Sequence, residues 1–419
     1  MERSGESGDG LLWVPRVVLF VPRWAFIAVA SPLRLTAWAY ERYQLRDRFK
    51  AVFFNVEGTF GVFPTVLFET TFGLNVGVRL VHKNVFGQNE GFRLRAGFGG
   101  EFEQVYEAIL TSGDRFGDRF SLSMEGEYQR RPGDLFFGIG NGDEGMPGLM
   151  LDPITDETAV RSKFRQNVAR AILRGKIDVS PAVSILPSAT WVLREFRDRT
   201  IAENYDTSRL PTFDSDASNV YGELELRFDT RDRASRYESR AVDATGWLLS
   251  GFAGWQQGFL DDPSSFLRYG TDVQKFIDLY NGNRVLALRI FVEAVARTGG
   301  DVQEVPFVDL PRLGGVSLLR GYDANRFRDR IVALSSAEYI WDMGMFASAF
   351  LFVDAGRPYR VWRDFTLDDM RVGFGGGVQI HTKRSFLGRF HVASGIDGGL
   401  FFNFSFDPLY GRKQRVGRF

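Results

Sequence analysis

From Phe60 onward the chain consists of runs of about ten residues in which apolar and polar side chains alternate, and no other feature limits its possible folds so tightly. In residues 220–229, VYGELELRFD, one face carries Val220, Gly222, Leu224, Leu226 and Phe228, and the other Tyr221, Glu223, Glu225, Arg227 and Asp229. Leu286, Leu288, Ile290, Val292 and Ala294 stand against Arg289, Glu293 and Arg297 in the same way. Near the end, Leu400, Phe402, Phe404 and Phe406 oppose Asn403 and Ser405. A soluble sandwich would turn the apolar face inward, whereas a membrane barrel turns it to lipid and lines its lumen with the polar face. Run length separates the two, because about ten tilted residues cross a bilayer while soluble strands centre on about five or six. Composition agrees. A chain with 25% charged residues, 40 Phe, 46 Gly and a mean hydropathy of -0.15 is no helical membrane protein, but it suits strands in which only alternate residues are apolar.

Sixteen such runs, from 60–69 to 398–406, predict an all-β fold: one transmembrane antiparallel β-barrel over residues 49–408. An even strand number returns both barrel ends to one side, expected to be the periplasm. Long connections at 131–162, 198–219 and 298–330 contrast with brief ones at 178–181 and 342–344, so the long ones are expected outside the cell. Residues 1–10 are small and polar, an expected flexible terminus. Residues 11–48 are apolar and aromatic, but Pro15, Pro22 and Pro32 with Arg16, Arg23 and Arg34 rule out one clean spanning helix. Short helices at the membrane surface, anchored by Trp13, Trp24, Trp38, Tyr40 and Tyr43, are one reading. A signal peptide cut after Ala28-Val29-Ala30 and a soluble helical hairpin are the others. The tail 409–419 is basic through Arg412, Lys413, Arg415 and Arg418.

Little in the sequence points to reaction chemistry. The three histidines, His82, His381 and His391, are too scattered for a metal cluster, and the absence of cysteine removes disulfides, thiolate ligands and thiol nucleophiles. Neither a cofactor nor a metal is expected. Gly375-Gly376-Gly377 lies within a strand with no Lys-Ser/Thr after it, so close packing or wall bending explains it better than phosphate binding. With 52 basic and 52 acidic side chains there is no basic surface for nucleic acid. At the seam between first and last strands, Pro64 lacks an N–H for the ladder, and Gly398 and Gly399 open the last strand without side chains to pack. Both features point to weak closure.

The most specific constellation is LPRLGGVSLLRGYDANRF from Leu310, followed by SAEYIW and LFVDAGRPY. It resembles the BamA/TamA superfamily of outer-membrane assembly barrels. Asp229-Thr230-Arg231-Asp232 is similar to that family's strand-end turn. Asp397-Gly398-Gly399-Leu400-Phe401-Phe402-Asn403-Phe404 is similar to its closing-strand signal, here centred on Phe402 and Phe404. The resemblance implies that loop 298–330 folds into the lumen with Arg320, Gly321 and Tyr322 at its tip. Its partners would be Glu338 and the acid of the motif formed by Phe352, Asp354 and Gly356. The chemistry of these residues is compatible: Arg320 offers a planar fork that a carboxylate can accept bidentately, and Gly321 allows a sharp turn.

The resemblance further implies a non-enzymatic protein of the bacterial outer membrane that inserts or translocates proteins, or lipids, through a deformable strand seam. Outer-membrane lipids, client outer-membrane proteins and the barrel assembly machinery are its implied partners. A passive pore constricted by the folded-in loop is the alternative, and an outer-membrane lipid hydrolase a weaker third. One departure stands out. Only some fifty residues precede the barrel, too few for the polypeptide-transport-associated domains of the better-known members, so a barrel-only relative is expected.

Overall fold

The computed structural model describes residues 42–69, 73–213, 217–233, 243–259, 264–280, 283–298, 305–343, 347–381 and 386–405. The first eight long strands are β1 (Phe60–Glu69), β2 (Gly73–His82), β3 (Gly91–Phe98), β4 (Gln104–Thr111), β5 (Phe120–Phe136), β6 (Ser162–Asp178), β7 (Val183–Asp198) and β8 (Ala217–Asp229). The remainder are β9 (Asp243–Phe259), β10 (Ser265–Asp278), β11 (Arg284–Arg297), β12 (Ile331–Asp342), β13 (Ala347–Tyr359), β14 (Arg371–His381), β15 (Phe386–Gly395) and β16 (Gly398–Ser405). Each pairs antiparallel with the next in the chain, in a single sheet that also takes in the two-residue stretch Asp232–Arg233. The expected sixteen-stranded antiparallel architecture is therefore present. No described helix is long and apolar enough to cross a membrane.

Strand ends differ from the sequence reading where periodicity breaks. The run expected to stop at Arg130 continues to Phe136, because the register shifts between Arg131 and Asp134 and Pro132-Gly133 there interrupt the alternation without ending the ladder. A helix, α1 (Leu45–Phe53), lies across the boundary drawn at residue 49. Its Phe49 ring stacks edge-on against Phe63 of β1 at 5.2 Å, and Phe54 lies 5.9 Å from the same ring. Phe63 is the register partner of Arg79, on the face opposite exposed Val62 and Val66, so α1 packs on the lumenal side of the first strand. Of the aromatic anchors, Tyr43 is 53% exposed. Trp13, Trp24, Trp38 and Tyr40 lie outside the described residues, as do the flexible terminus, the tail 409–419 and Phe406.

The two faces of the wall separate cleanly. Along β8, Val220, Leu224, Leu226 and Phe228 are exposed while Tyr221, Glu223 and Glu225 are buried inside. On β16, Leu400, Phe402 and Phe404 are exposed and Asn403 is buried. Spin labels at successive positions of 220–228 are accordingly expected to alternate in accessibility to a lipid-soluble quencher, even-numbered sites reacting and odd-numbered ones not. Uniform quenching along the strand would contradict a lipid-facing wall.

The strand directions put the connections 137–161, 199–216 and 298–330 at one end of the barrel. The starts of β1 and β5 and the turn 179–182 lie at the other, together with the end of β16. Across the closure, no ladder joins β1 to β16 among the described residues. Pro64 sits mid-strand on the exposed face of β1, opposite Val78 of β2, and Gly398 and Gly399 start β16 at φ +95° and +87°.

Candidate lumenal loop site

Four inward-facing strand segments build the floor of the site. Glu338 comes from β12; Phe350, Phe352 and Asp354 from β13; Gly373, Gly375 and Gly377 from β14; and Arg389, His391 and Gly395 from β15. Period-two geometry puts each set on one face, and the register brings Glu338 opposite Phe352 and Phe352 opposite Gly375. Onto this floor descends the tip of loop 298–330.

Arg320 is held from three sides. Its Nε and Nη2 donate to Asp354 Oδ2 and Oδ1 at 2.8 and 2.7 Å, and its backbone N–H donates to Asp354 Oδ2 at 2.9 Å. Its Nη1 donates to Glu338 Oε2 at 2.7 Å. Glu338 also accepts from Arg389 Nη2 at 2.5 Å on both carboxylate oxygens. Each guanidinium lies 3.6 Å over an aromatic centroid, Arg320 on Phe352 and Arg389 on Phe350. Two cations thus meet two carboxylates, and all four residues are at most 5% exposed. Charges this buried need such pairing, because each alone would carry an uncompensated desolvation cost.

Close backbone approach decides where the tip can lie. Gly321 has φ +97°, a left-handed conformation that L side chains avoid, and a Cβ there would meet Ser394 O at 2.5 Å. A Cβ on Gly373 would overlap the carbonyl oxygen of Arg320, and one on Gly395 would meet the Tyr322 ring at 2.7 Å. The missing side chains of Gly375 and Gly377 leave room for the Phe352 and Phe350 rings. Tyr322 donates its hydroxyl to Val372 O at 3.2 Å and packs edge-on against Phe327 at 5.1 Å. Burial, with the Asp397 carboxylate adding to it, pushes the phenol up to about 12, so it stays a donor at any ordinary pH. At Gly356 a Cβ would press on Leu313 of the loop base, 3.0 Å away.

The residues suggested for the loop tip and its partners are therefore brought together, whereas Pro64, Gly398, Gly399, Phe402 and Phe404 lie apart from them on the seam strands. Sequence reasoning missed Arg389, although Arg389, His391, Ala393 and Gly395 form an inward period-two set that could have disclosed it. It also missed a plug at the long-connection end of the lumen. There Phe307 of loop 298–330 inserts among Phe136, Phe164, Phe196 and Phe213, with centroids at 5.3–5.9 Å. Beside it, Asp309 pairs with Arg194 of β7 at 2.7 Å. Burial raises the Asp309 carboxyl, but the Arg194 charge outweighs it and the group stays below its usual range. Arg328, pushed down to about 9 by burial, remains charged at neutrality and donates to Phe307 O and Leu135 O, each at 3.2 Å. Loop 298–330 is thus fixed at its base and at its tip.

Comparison with known proteins follows the same lines. Residues 84–396 match the Omp85 superfamily domain. No curated protein matches the chain. Among solved structures the chain is similar to BamA from Haemophilus ducreyi lacking POTRA domains 1-3, at 14% identity and a TM-score of 0.59, with 83% of this chain and 69% of that one covered. It is also similar to CdiB from Acinetobacter baumannii, at 11% identity and a TM-score of 0.47, covering 80% of this chain and 55% of that one. The corresponding values for CdiB from Escherichia coli are 9%, 0.49, 82% and 60%. Identities this low speak for the fold alone.

Proposed function

The chain belongs to the Omp85 superfamily, and from that premise we propose that it inserts or translocates proteins at the bacterial outer membrane by opening the seam between β1 and β16. One observation carries the reading: among the described residues these two strands share no ladder, although every other neighbouring pair does. In lipid an unpaired backbone edge is costly, so the edge of β1 beyond Gly61, where the bridge from Phe54 ends, is a place where an incoming strand gains hydrogen bonds. Strand length supports the same site. β3 and β4, which follow β1 and β2 from the seam, have eight residues each, against seventeen in β5, β6 and β9. Eight residues rise roughly 27 Å, or roughly 19 Å across the membrane at a tilt of about 45°, short of the apolar band of about 25 Å usual for such barrels. The wall is thus low at β3 and β4, close to the seam, where lipid would have to thin to meet it.

In this reading both barrel termini face the periplasm, the long connections face outward, and client outer-membrane proteins and membrane lipids are the partners. The pinned loop and the aromatic plug obstruct the long-connection end of the lumen while the seam works, which argues against a freely conducting pore. Depleting the protein and then measuring the outer-membrane proteome and lipid composition tests the role. Selective loss of one or more outer-membrane proteins is expected. An unchanged proteome with loss of small-solute uptake would favour the pore instead.

A further inference from the structure

The lumen wall beside the seam carries a charge pattern that the described residues do not balance. Register places Arg79 of β2 directly opposite Arg95 of β3, and Arg93 is the next residue on the same face of β3, toward the mouth with the short connections. That face is lumenal, since the alternate positions Val76, Val78, Leu94 and Phe98 form the exposed apolar side. Like charges directly opposite one another in a ladder repel. The acids within reach are few. Glu107 of β4 lies opposite Arg95, but Glu127 and Glu125 on β5 are already bound by Arg170 at 3.3 Å and Arg174 at 2.6 Å. Among the described residues no ion pair joins Arg79, Arg93 or Arg95 to a carboxylate, and Arg95 Nε is buried without a hydrogen-bond partner. The helix packed beside Arg79, α1, adds Arg48 and Lys50 against a single Asp47. Among the described residues, three guanidiniums therefore face one carboxylate that forms no ion pair, Glu107.

We propose that Arg79, Arg93 and Arg95 form a phosphate-binding site in the lumen, reached from the short-connection mouth and separated from the seam only by β1. Guanidinium forks match the oxygens of a phosphate bidentately, and several converging on one face neutralise it as no single lysine would. Arg93 is exposed and lies opposite Val81, one residue in from the strand end, so the site begins at that mouth. Its occupant is either free phosphate or the phosphate of a lipid headgroup passing the low wall at β3. The site depends on the lumenal face alone and fails or stands separately from the role of the seam.

The test uses the full chain, in neutral detergent with inorganic phosphate and in nanodiscs of phosphatidylcholine with or without phosphatidylglycerol, with binding read by calorimetry and thermal shift. Arg79→Gln with Arg95→Gln is expected to weaken phosphate binding about tenfold or more, and Glu107→Gln to tighten it, since the carboxylate opposite Arg95 is removed. Arg93→Gln, at an exposed position, gives the same reading if the double variant does not fold. Binding of inorganic phosphate alone assigns a free-anion site, and an added phosphatidylglycerol-dependent shift lost in the variants assigns a headgroup site. Equal affinities of the wild type and both arginine variants for both probes would overturn the site.

Discussion

Replacing Glu338 with alanine is expected to lower the stability of the folded loop and barrel by about 3–5 kcal/mol, the range for breaking a buried ion pair by removing one partner. Glu338 is fully buried and serves two guanidiniums at once, so solvent cannot take over its role. Its loss leaves Arg320 with Asp354 alone and deprives Arg389 of this carboxylate altogether. Because Arg320 is the side chain that pins the loop tip, the same variant is expected to make the segment 305–330 accessible to protease. Glu338→Gln, which keeps the shape and one acceptor but no charge, should fall between the alanine variant and the wild type. Heat-modifiability on gels and limited proteolysis read the two effects. A wild-type melting profile with a protected loop in Glu338→Ala would mean that the network carries no net stabilisation.

Gly373→Val is expected to separate loop from barrel. Valine suits a strand, so β14 should still form. Its Cβ, however, would overlap the Arg320 carbonyl oxygen, and backbone cannot yield there as a flexible side chain would. The tip must lift, drawing Arg320 away from both Asp354 and Glu338. The expected phenotype is a barrel that still shifts on heating while the loop becomes cleavable and activity falls severely, comparable to removing Arg320 itself. Gly376→Val, which alternation puts on the opposite face of the same strand, should be close to neutral and serves as the control. Equal protease protection in the two variants would mean the tip is not seated on Gly373.

The barrel was legible in the sequence because alternation is a direct consequence of a wall with lipid on one side and a wet lumen on the other. Where that cause is interrupted, legibility ends. Pro132-Gly133 hid the upper third of β5, and the brief helix α1 straddles the end of a stretch whose prolines and arginines gave no clear period. The loop tip was found through short motifs, but Arg389 read as one more lumenal charge, since only the register of β12 to β15 reveals that it shares Glu338 with Arg320. Phe307 and its ring of partners carry no periodic signal at all, because loop residues that meet across the lumen are unrelated in spacing. The triple glycine read only as close packing or wall bending, and what its members accommodate became evident from the rings lying over Gly375 and Gly377.

The chain contains no cysteine, so pairs can be introduced across the closure without background, with one member at positions 61–66 of β1 and the other at positions 400–404 of β16. The decisive measurement is the outer-membrane proteome of cells carrying only a cross-linkable variant, compared under oxidising and reducing conditions. If the seam must open, oxidation should block the arrival of the same proteins that depletion removes, reduction should restore it, and single-cysteine controls should not respond. Unimpaired arrival with the seam demonstrably cross-linked would show that the barrel works without opening there.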